Sequence, residues 1–287
     1  MILSVNLAAM PDAFDYCAEL VRGADRDRYL AALFAPAKQR NALYAIHAFD
    51  IEIGRVRELA HAPLPGEIRL QWWSDVINGE RREEALANPV AAALLAATER
   101  HRLAAGKLSE LVEAQRFDVY DDPMATLADL DAYAERTFST LLALAAQILA
   151  GIDAQQVSAP AGKAYAIAGL LRAFPQHAAR GQLYVPMELL DRHGVRPDEV
   201  FAGRSTPGLI AAFRELRNLA RCHLAAAREP LPTLPREAMP AFLPVALVRP
   251  SLDRLERSDP FAPAEIPPWR RQWLIWRAAR NPRRIAG

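Results

Sequence analysis

Five small or polar residues lie along one flank of a predicted helix in the first fifth of the chain. They are His47, Asp50, Gly54, Arg57 and Glu58. On a helix of ~100° per residue, spacings of three and four place side chains above one another, so this flank could line a cavity with acids, a histidine and an arginine. A solvated flank with local ion pairs is the alternative. Asp50 and Glu52 cannot form a carboxylate dyad, because residues two apart point away from each other.

A second segment, 162–186, combines small residues with candidate anion-binding groups. Its small-residue face comprises Gly162, Ala166 and Gly169. Such a face permits close helix packing or leaves room for a ligand. Pro175 removes a helix hydrogen bond and biases Phe174 away from helical geometry, so we expect the helix to kink or stop there. The predicted loop that follows contains His177, Arg180, Gly181 and the run Leu183-Tyr184-Val185-Pro186.

Helices are required to position these residues, and the apolar pattern predicts helices throughout. Apolar positions recur at three and four rather than at two, which predicts an all-α fold. Pro36 suits a first helical turn, and the core-facing stripe after it comprises Leu43, Ile46, Phe49, Ile53, Val56 and Ala60. Further helices are predicted at about 68–78, 89–105, 108–118, 127–150, 161–173 and 209–228.

The composition of the whole chain limits the possible functions. Lys plus Arg (35) nearly balances Asp plus Glu (34), so no overall field gathers nucleic acid. Cys17 and Cys222 form no C-x-x-C pattern, which argues against a disulfide framework and a cysteine-rich zinc site. Met1 to Phe14 lacks the basic start of a secretory signal, and the longest apolar stretch, 141–152, is shorter than the ~20 residues of a membrane span. We therefore expect a cytoplasmic protein.

The C-terminal part, 230–287, differs in composition from the rest. It holds 11 of the 22 prolines, which predicts short helices and turns packed on a single domain, 1–287. Within it, 268–284 contains no acid and carries Trp269, Trp273 and Trp276 with Arg270, Arg271, Arg277, Arg280, Arg283 and Arg284. This pattern fits an anchor on an anionic membrane or a docking helix. A terminal helix whose tryptophans pack on the domain is the alternative.

Several blocks of the sequence resemble the squalene/phytoene synthase family. The run Phe34–Phe49 resembles the start of that family, and 69–73 and 88–90 fall in the family's order. A later block, Leu171-Arg172 followed by Arg180-Gly181-Gln182-Leu183-Tyr184-Val185-Pro186, is also similar. The match covers roughly Tyr16 to Pro250. It implies an isoprenoid-synthase-like helical bundle around a central cavity.

The resemblance also implies where metal-binding residues belong. Members of the family join two prenyl diphosphates head to head, and two aspartate-rich motifs hold Mg²⁺, which neutralises the charge of the departing diphosphate. At the positions of the two motifs this chain has Gly54, Arg55 and Glu58, then Ala173, Gln176 and His177. The resemblance therefore implies degenerate metal motifs, no catalytic residues and no cofactor. Candidates for lining the cavity or binding phosphate are Lys38, Arg40, Tyr44, His47, Asp50, Arg57, Arg172, Arg180 and Tyr184.

A non-catalytic branch of the superfamily, an assembly factor for respiratory complex I, is more similar to this chain than the synthases are. The shared blocks are Ala48–Glu52, Tyr133–Glu135 with Leu141-Leu142, and Pro240–Leu243. This resemblance implies a pseudoenzyme peripheral to the inner membrane, with a complex I subunit or assembly intermediate as partner and an isoprenoid or quinone as candidate ligand. The alternatives are an active prenyltransferase whose Mg²⁺ site recruits Glu58 and Asp50, and an isoprenoid-binding carrier.

Overall fold

The computed structural model describes residues 11–60 and 62–287, and these residues form helices without any β-strand. The all-α prediction is confirmed. The prediction that Met1 to Phe14 is not a secretory signal concerns mainly residues outside that part. The helices are α1 (Pro11–Ala24), α2 (Arg26–Ala32), α3 (Ala37–Gly54), α4 (Val56–Leu59), α5 (Pro63–Ile77), α6 (Arg82–Ala87), α7 (Pro89–His101), α8 (Ala105–Tyr120), α9 (Leu127–Ala134), α10 (Thr140–Ala150), α11 (Gln155–Ala179), α12 (Met187–Arg192), α13 (Pro197–Phe201), α14 (Pro207–Arg228), α15 (Met239–Phe242), α16 (Val248–Leu255) and α17 (Pro268–Arg280).

Shorter helical turns connect some of these elements. A π-helical turn, Glu135–Ser139, joins α9 to α10, so the predicted helix 127–150 is interrupted in its middle. Tight 3₁₀ turns occupy Leu231–Thr233, Arg236–Ala238, Leu243–Leu247 and Pro282–Arg284. The Pro-rich part therefore consists of short helices and turns, as its composition predicts.

The chain divides into two compact units, each built from separate segments. The first unit contains 11–119 of the described chain together with Leu141–Ala154 and Pro235–Ala241. The second contains Tyr120–Thr140, Gln155–Leu234 and Phe242–Gly287. The prediction of one domain over 1–287 stays a prediction.

The first unit is organised around α1, α3 and α7, which pack against one another. Each residue of the predicted stripe on α3 and beyond it is buried, as the periodicity requires. Pro36 immediately precedes α3, and Asn88 begins α7 by accepting hydrogen bonds from the backbone amides of Val90 and Ala91.

The predicted continuation of α3 to Ala60 is wrong in one detail. The helix ends at Gly54, Arg55 separates it from the one-turn helix α4, and Val56 remains buried in the new helix. Glycine has a low helix propensity, which favours an end of the helix at Gly54. The apolar stripe continues beyond the break because α4 keeps the helical spacing of its buried residues.

The second unit is organised around α11, which packs against α14, α16 and the π-helical turn. A Cβ atom at Gly162 would lie 2.4 Å from the Cα and N atoms of Ser139, so only glycine permits this approach. By contrast, a Cβ atom at Gly169 would meet nothing within 4 Å. Close packing therefore explains Gly162 but not Gly169.

Of the kink or stop predicted at Pro175, the stop is wrong, since α11 continues to Ala179, and the kink stays a prediction. Phe174 is buried, and its ring lies 4.8 Å from that of Phe213 and 5.1 Å from that of Phe261. Burial of a phenylalanine and two aromatic contacts stabilise by about 3–5 kcal/mol, which offsets the cost of about 3 kcal/mol for proline inside a helix. The packing of Phe174 therefore outweighs the tendency of Pro175 to end the helix.

The structure also decides between the alternatives for the tryptophans of α17. Trp269, Trp273 and Trp276 are 69%, 44% and 44% exposed, whereas Ile275 and Ala278 form the buried side of the helix. The alternative in which the tryptophans pack on the domain is wrong.

Candidate functional site

The residues at the first motif positions lie across the break between α3 and α4. Gly54 is the exposed last residue of α3, Arg55 lies in the break, and Glu58 is exposed on α4. Arg57 donates a hydrogen bond from Nη1 to the carbonyl oxygen of Ala60 at 3.4 Å. This stretch therefore offers one carboxylate on a one-turn helix.

A largely buried ion pair involves Asp50, which lies four residues before Gly54 on α3. The Asp50 carboxylate accepts a hydrogen bond from Arg28 Nη1 at 2.5 Å, and Arg28 Nε lies 3.2 Å from Asp25 Oδ2. The side chains of Arg28 and Asp50 are only 7% and 15% exposed. Asp50 is thus balanced by an arginine of α2, which differs from both a solvated flank and an open, ligand-binding carboxylate.

His47 is buried beside this ion pair. Burial lowers the pKa of His47 to about 3, with a further lowering by Arg28 that Asp25 partly opposes. Its Nδ1 atom has no hydrogen-bond partner among the described residues. His47 is therefore neutral at physiological pH, and it cannot attract an anion by charge.

The remaining candidates on α3 differ in their accessibility. Lys38 is exposed on the first turn, whereas the Arg40 guanidinium donates to the carbonyl oxygens of Ala32, Leu33 and Ala35 at 3.1–3.3 Å. Arg40 therefore satisfies the C-terminal end of α2. Tyr44 stacks on Tyr29 with ring centroids 5.4 Å apart, and burial, then the neighbouring tyrosine, raises the pKa of Tyr44 to about 12.

The second motif positions lie on the last two turns of α11, in the second unit. Gln176 is exposed, while Ala173 and His177 are half-buried. The His177 ring lies 4.6 Å from the ring of Tyr184, which itself lies 5.8 Å from Tyr133. These two predicted site residues, His177 and Tyr184, are brought together around a small apolar pocket of about 10 Å³, close to the volume of one water probe.

Two arginines flank this end of α11. Arg172 forms a long ion pair with Glu265, with Nε and Oε1 separated by 3.8 Å. Arg180 is exposed immediately after the helix, and the next residue, Gly181, adopts the left-handed conformation (φ 77°) that is common just beyond a helix end. The backbone amide of Met124 then donates a hydrogen bond to the carbonyl oxygen of Leu183. The predicted loop is confirmed for Arg180, Gly181 and 183–186, but it is wrong for His177, which lies inside α11.

The family's metal can be tested against these donors. Mg²⁺ prefers carboxylate oxygens, yet Glu58 is the single acid at the first motif positions and none stands at the second. Asp50, the acid proposed to assist Glu58, is engaged by Arg28. Within the described residues no group of three or more His, Cys, Asp or Glu side chains is arranged for a metal ion. The residues at the positions that the resemblance assigns to the two motifs do not fit Mg²⁺, and no reaction step is assigned to it.

Sequence reasoning did not anticipate Arg28 or a second charged cluster. Arg28 lies on α2, 22 residues before Asp50 on α3. The apolar pattern did not predict a helix at α2, and no helical spacing connects residues so far apart in the sequence. In the second unit Lys163 lies 2.9 Å from Asp131 and 3.1 Å from Glu135, and His223 lies 3.0 Å from Asp131. Burial lowers the pKa of Lys163, but its hydrogen bonds to both acids outweigh this effect and raise it overall.

Comparison with known proteins identifies the family. The sequence profile described as squalene/phytoene synthase matches residues 21–277. The chain belongs to the squalene/phytoene synthase family. The human protein named NADH dehydrogenase (ubiquinone) complex I, assembly factor 6 is 30% identical over 261 residues, covering 89% of this chain and 78% of the human protein. The 15-cis-phytoene synthase of Synechococcus elongatus is 25% identical over 292 residues, covering 92% of each.

Solved structures confirm the expected fold of this family member. A crystal structure of a dehydrosqualene synthase in complex with a ligand matches with a TM-score of 0.80 at 17% identity, over 94% of this chain and 96% of that one. The isoprenoid-synthase-like helical fold is therefore confirmed. Across 11–60 and 62–287, every helix is too short or too polar for a membrane crossing.

Proposed function

We propose that this family member is a non-catalytic protein that assists the assembly of respiratory complex I. The observation that carries the proposal is the 30% identity to the human assembly factor over 89% of this chain. Its partner is then a complex I subunit or an assembly intermediate. We place it on the cytoplasmic side, where it contacts the inner membrane peripherally.

The arrangement of the acids on α3 and α4 supports the non-catalytic part of the proposal. Head-to-head coupling needs cationic charge at a departing diphosphate, and losing one charge-stabilising group typically costs 10²–10³ in rate. Any movement of Asp50 away from Arg28 toward Glu58 and a metal would break this ion pair. Leaving a buried arginine with a missing partner is itself unfavourable by several kcal/mol.

The second candidate is an active prenyltransferase, which the 25% identity to a phytoene synthase favours. A third is an isoprenoid carrier, and a bound isoprenoid or quinone tail would also be compatible with the assembly role. The apolar pocket beside His177 has a volume of about 10 Å³, so it gives no support to a bound tail in the second unit.

Deletion of the gene in its native host tests the assembly role. We expect membrane NADH:quinone oxidoreductase activity and the amount of assembled complex I to fall severalfold, while carotenoid and hopanoid contents stay unchanged. Succinate oxidation by the same membranes is the control. Normal NADH oxidation together with missing terpenoids would reverse the ranking of the first two candidates.

Complementation of that deletion distinguishes a non-catalytic assembly protein from an enzyme. A Glu58→Gln variant removes the remaining carboxylate at the motif positions, and Glu52→Gln on the preceding helix, α3, is its matched control. A non-catalytic protein restores NADH oxidation equally well with either substitution. Failure of Glu58→Gln alone would indicate that this carboxylate has a chemical role.

Incubation of the purified protein with prenyl diphosphates and Mg²⁺ tests catalysis directly. We expect no release of diphosphate above a protein-free blank. Turnover to a squalene-like or phytoene-like product would overturn the non-catalytic claim, whatever the deletion strain shows.

A further inference from the structure

Six arginines of the second unit surround a cleft of about 560 Å³. Two of its arginines belong to α16, one follows that helix, two belong to α17 and one lies in the last 3₁₀ turn. They are Arg249, Arg254, Arg257, Arg270, Arg277 and Arg284. We call this feature the arginine cleft.

The lining of the arginine cleft carries six arginines and one acidic side chain. In the described part of the chain, none of the six arginines has an ion-pair partner within 4.0 Å. The one acid in the lining, Asp253, lies 3.4 Å from Arg221, which also pairs with Glu256 at 2.6 Å. Six guanidinium groups around one cleft repel one another, so an anion that enters it relieves that repulsion.

The guanidinium groups also define the chemistry of the ligand. Arginine presents its donors in a planar fork that matches the oxygens of a phosphate group, often through two parallel hydrogen bonds. Several forks around a cleft that opens to solvent suit phosphate groups presented side by side. A phosphate-rich anion is therefore the class of ligand that the cleft fits.

The surface next to the cleft indicates which kind of molecule carries these phosphate groups. Arg277 lines the cleft, and its guanidinium carbon lies 4.2 Å from the centre of the Trp273 ring. Trp269 and Trp276 are exposed on the same helix, and Arg280 lies over the Trp276 ring at 4.4 Å. Exposed tryptophans beside cationic side chains are typical of helices that lie in a membrane interface, where the indole rings sit at the level of the head groups.

From the cleft and its tryptophan border we infer that this face binds the phosphate head groups of an anionic phospholipid bilayer. The arginine cleft takes up the phosphates, and the tryptophans of α17 enter the interface beside them. A soluble phosphate compound would occupy the cleft and leave the tryptophans exposed, so the lipid surface accounts for more of the structure. The inference does not depend on the role in complex I assembly.

Vesicle co-sedimentation of the full chain tests this inference. We compare vesicles of pure phosphatidylcholine with vesicles containing about one third phosphatidylglycerol. We expect binding to the anionic vesicles only, and we expect Arg254→Gln/Arg257→Gln to weaken it by roughly tenfold to thirtyfold, since each arginine near the surface contributes on the order of one kcal/mol. The matched control, Arg204→Gln/Arg228→Gln, removes the same charge from exposed sites of the second unit outside the cleft, and it should weaken binding less than threefold.

The tryptophans and the alternative ligands give the remaining outcomes. Trp269→Ala/Trp276→Ala should also weaken vesicle binding, with little effect on the melting temperature because both rings are exposed. Equal weakening by the cleft and control variants would overturn the inference. Calorimetry with inorganic diphosphate identifies a soluble ligand, and diphosphate binding without vesicle binding would also overturn it. If neither ligand binds while the cleft variant fails to complement the deletion strain, the cleft serves an acidic protein surface instead.

Discussion

The two stretches at the motif positions, one after α3 and one on α11, are stabilised in different ways. Around α3, charged groups are buried and matched, as Asp50 is by Arg28 at 2.5 Å. On α11 the corresponding turns carry no acid, and the Phe174 ring is held between Phe213 and Phe261. The difference teaches that charge near the first stretch supports the structure of its own unit, whereas the second stretch depends on apolar packing.

The same difference applies to the arginines of the molecule. Inside the first unit, Arg28 donates a hydrogen bond to the carboxylate of Asp50, and Arg40 donates to backbone carbonyl oxygens at the end of α2. The six arginines of the arginine cleft lack ion-pair partners among the described residues. Substitutions in the first group should therefore change stability, and substitutions in the second group should change binding.

The largest effect is expected for Asp50→Ala. Removing the carboxylate takes the Asp50 ion pair away from the buried Arg28, and breaking a buried pair from one side typically costs about 3–5 kcal/mol. Urea unfolding monitored by circular dichroism measures the change in the free energy of unfolding.

The matched control removes an acid from the region of α11. Glu265 is 59% exposed and lies 3.8 Å from Arg172, so Glu265→Ala should cost less than about 1 kcal/mol. Comparable losses in the free energy of unfolding for Asp50→Ala and Glu265→Ala would contradict the proposed difference between the two regions.

The sequence predicts the elements of both regions better than it predicts their contacts. The stripe from Leu43 to Ala60 is buried as expected, because a sustained three-and-four rhythm of apolar residues needs only local geometry. Pro175 shows the limit of local rules, since the packing of Phe174 comes from residues far along the chain. No local pattern could indicate that two remote rings would stabilise the turn after a proline.

The candidate site shows the same division. The order and spacing of the family blocks are enough to identify the family, because they extend over most of the chain. The pairing of Asp50 with Arg28 could not be predicted, since the partner comes from the separate helix α2. The tryptophans of α17 show that a helical face can be predicted without its burial, because burial depends on what the remaining elements cover.

A smaller effect is expected for Gly162→Ala on α11. The new Cβ atom would lie 2.4 Å from backbone atoms of Ser139, which cannot move as a side chain can, so we expect a loss of roughly 1–3 kcal/mol. Thermal unfolding measures it. The control on the same helix, Gly169→Ala, should instead stabilise by about 0.5–1 kcal/mol, because its Cβ atom meets nothing within 4 Å. Loss of stability in both variants would show that general helix perturbation, and not the contact with Ser139, is responsible.

The smallest effect concerns the titration of His47. Its pKa is lowered to about 3 by burial, while the unfolded chain takes up the proton near pH 6.5. The unfolded state therefore binds more protons below pH 6.5, so the stabilising contribution is complete above that pH and is lost as the pH falls toward 3. Between pH 6.5 and 5.5 we expect the free energy of unfolding to fall by about 1 kcal/mol from this group.

A His47→Gln variant isolates this contribution, because glutamine keeps a polar side chain without titrating. Other groups, such as His101, whose pKa burial also lowers, change both proteins equally. The difference between the two urea-unfolding curves should therefore depend on pH between 6.5 and 3 and be constant above pH 7.5 or so. A constant difference at every pH would mean that His47 is solvated enough to titrate normally, and the first region would then be less completely buried than its contacts indicate.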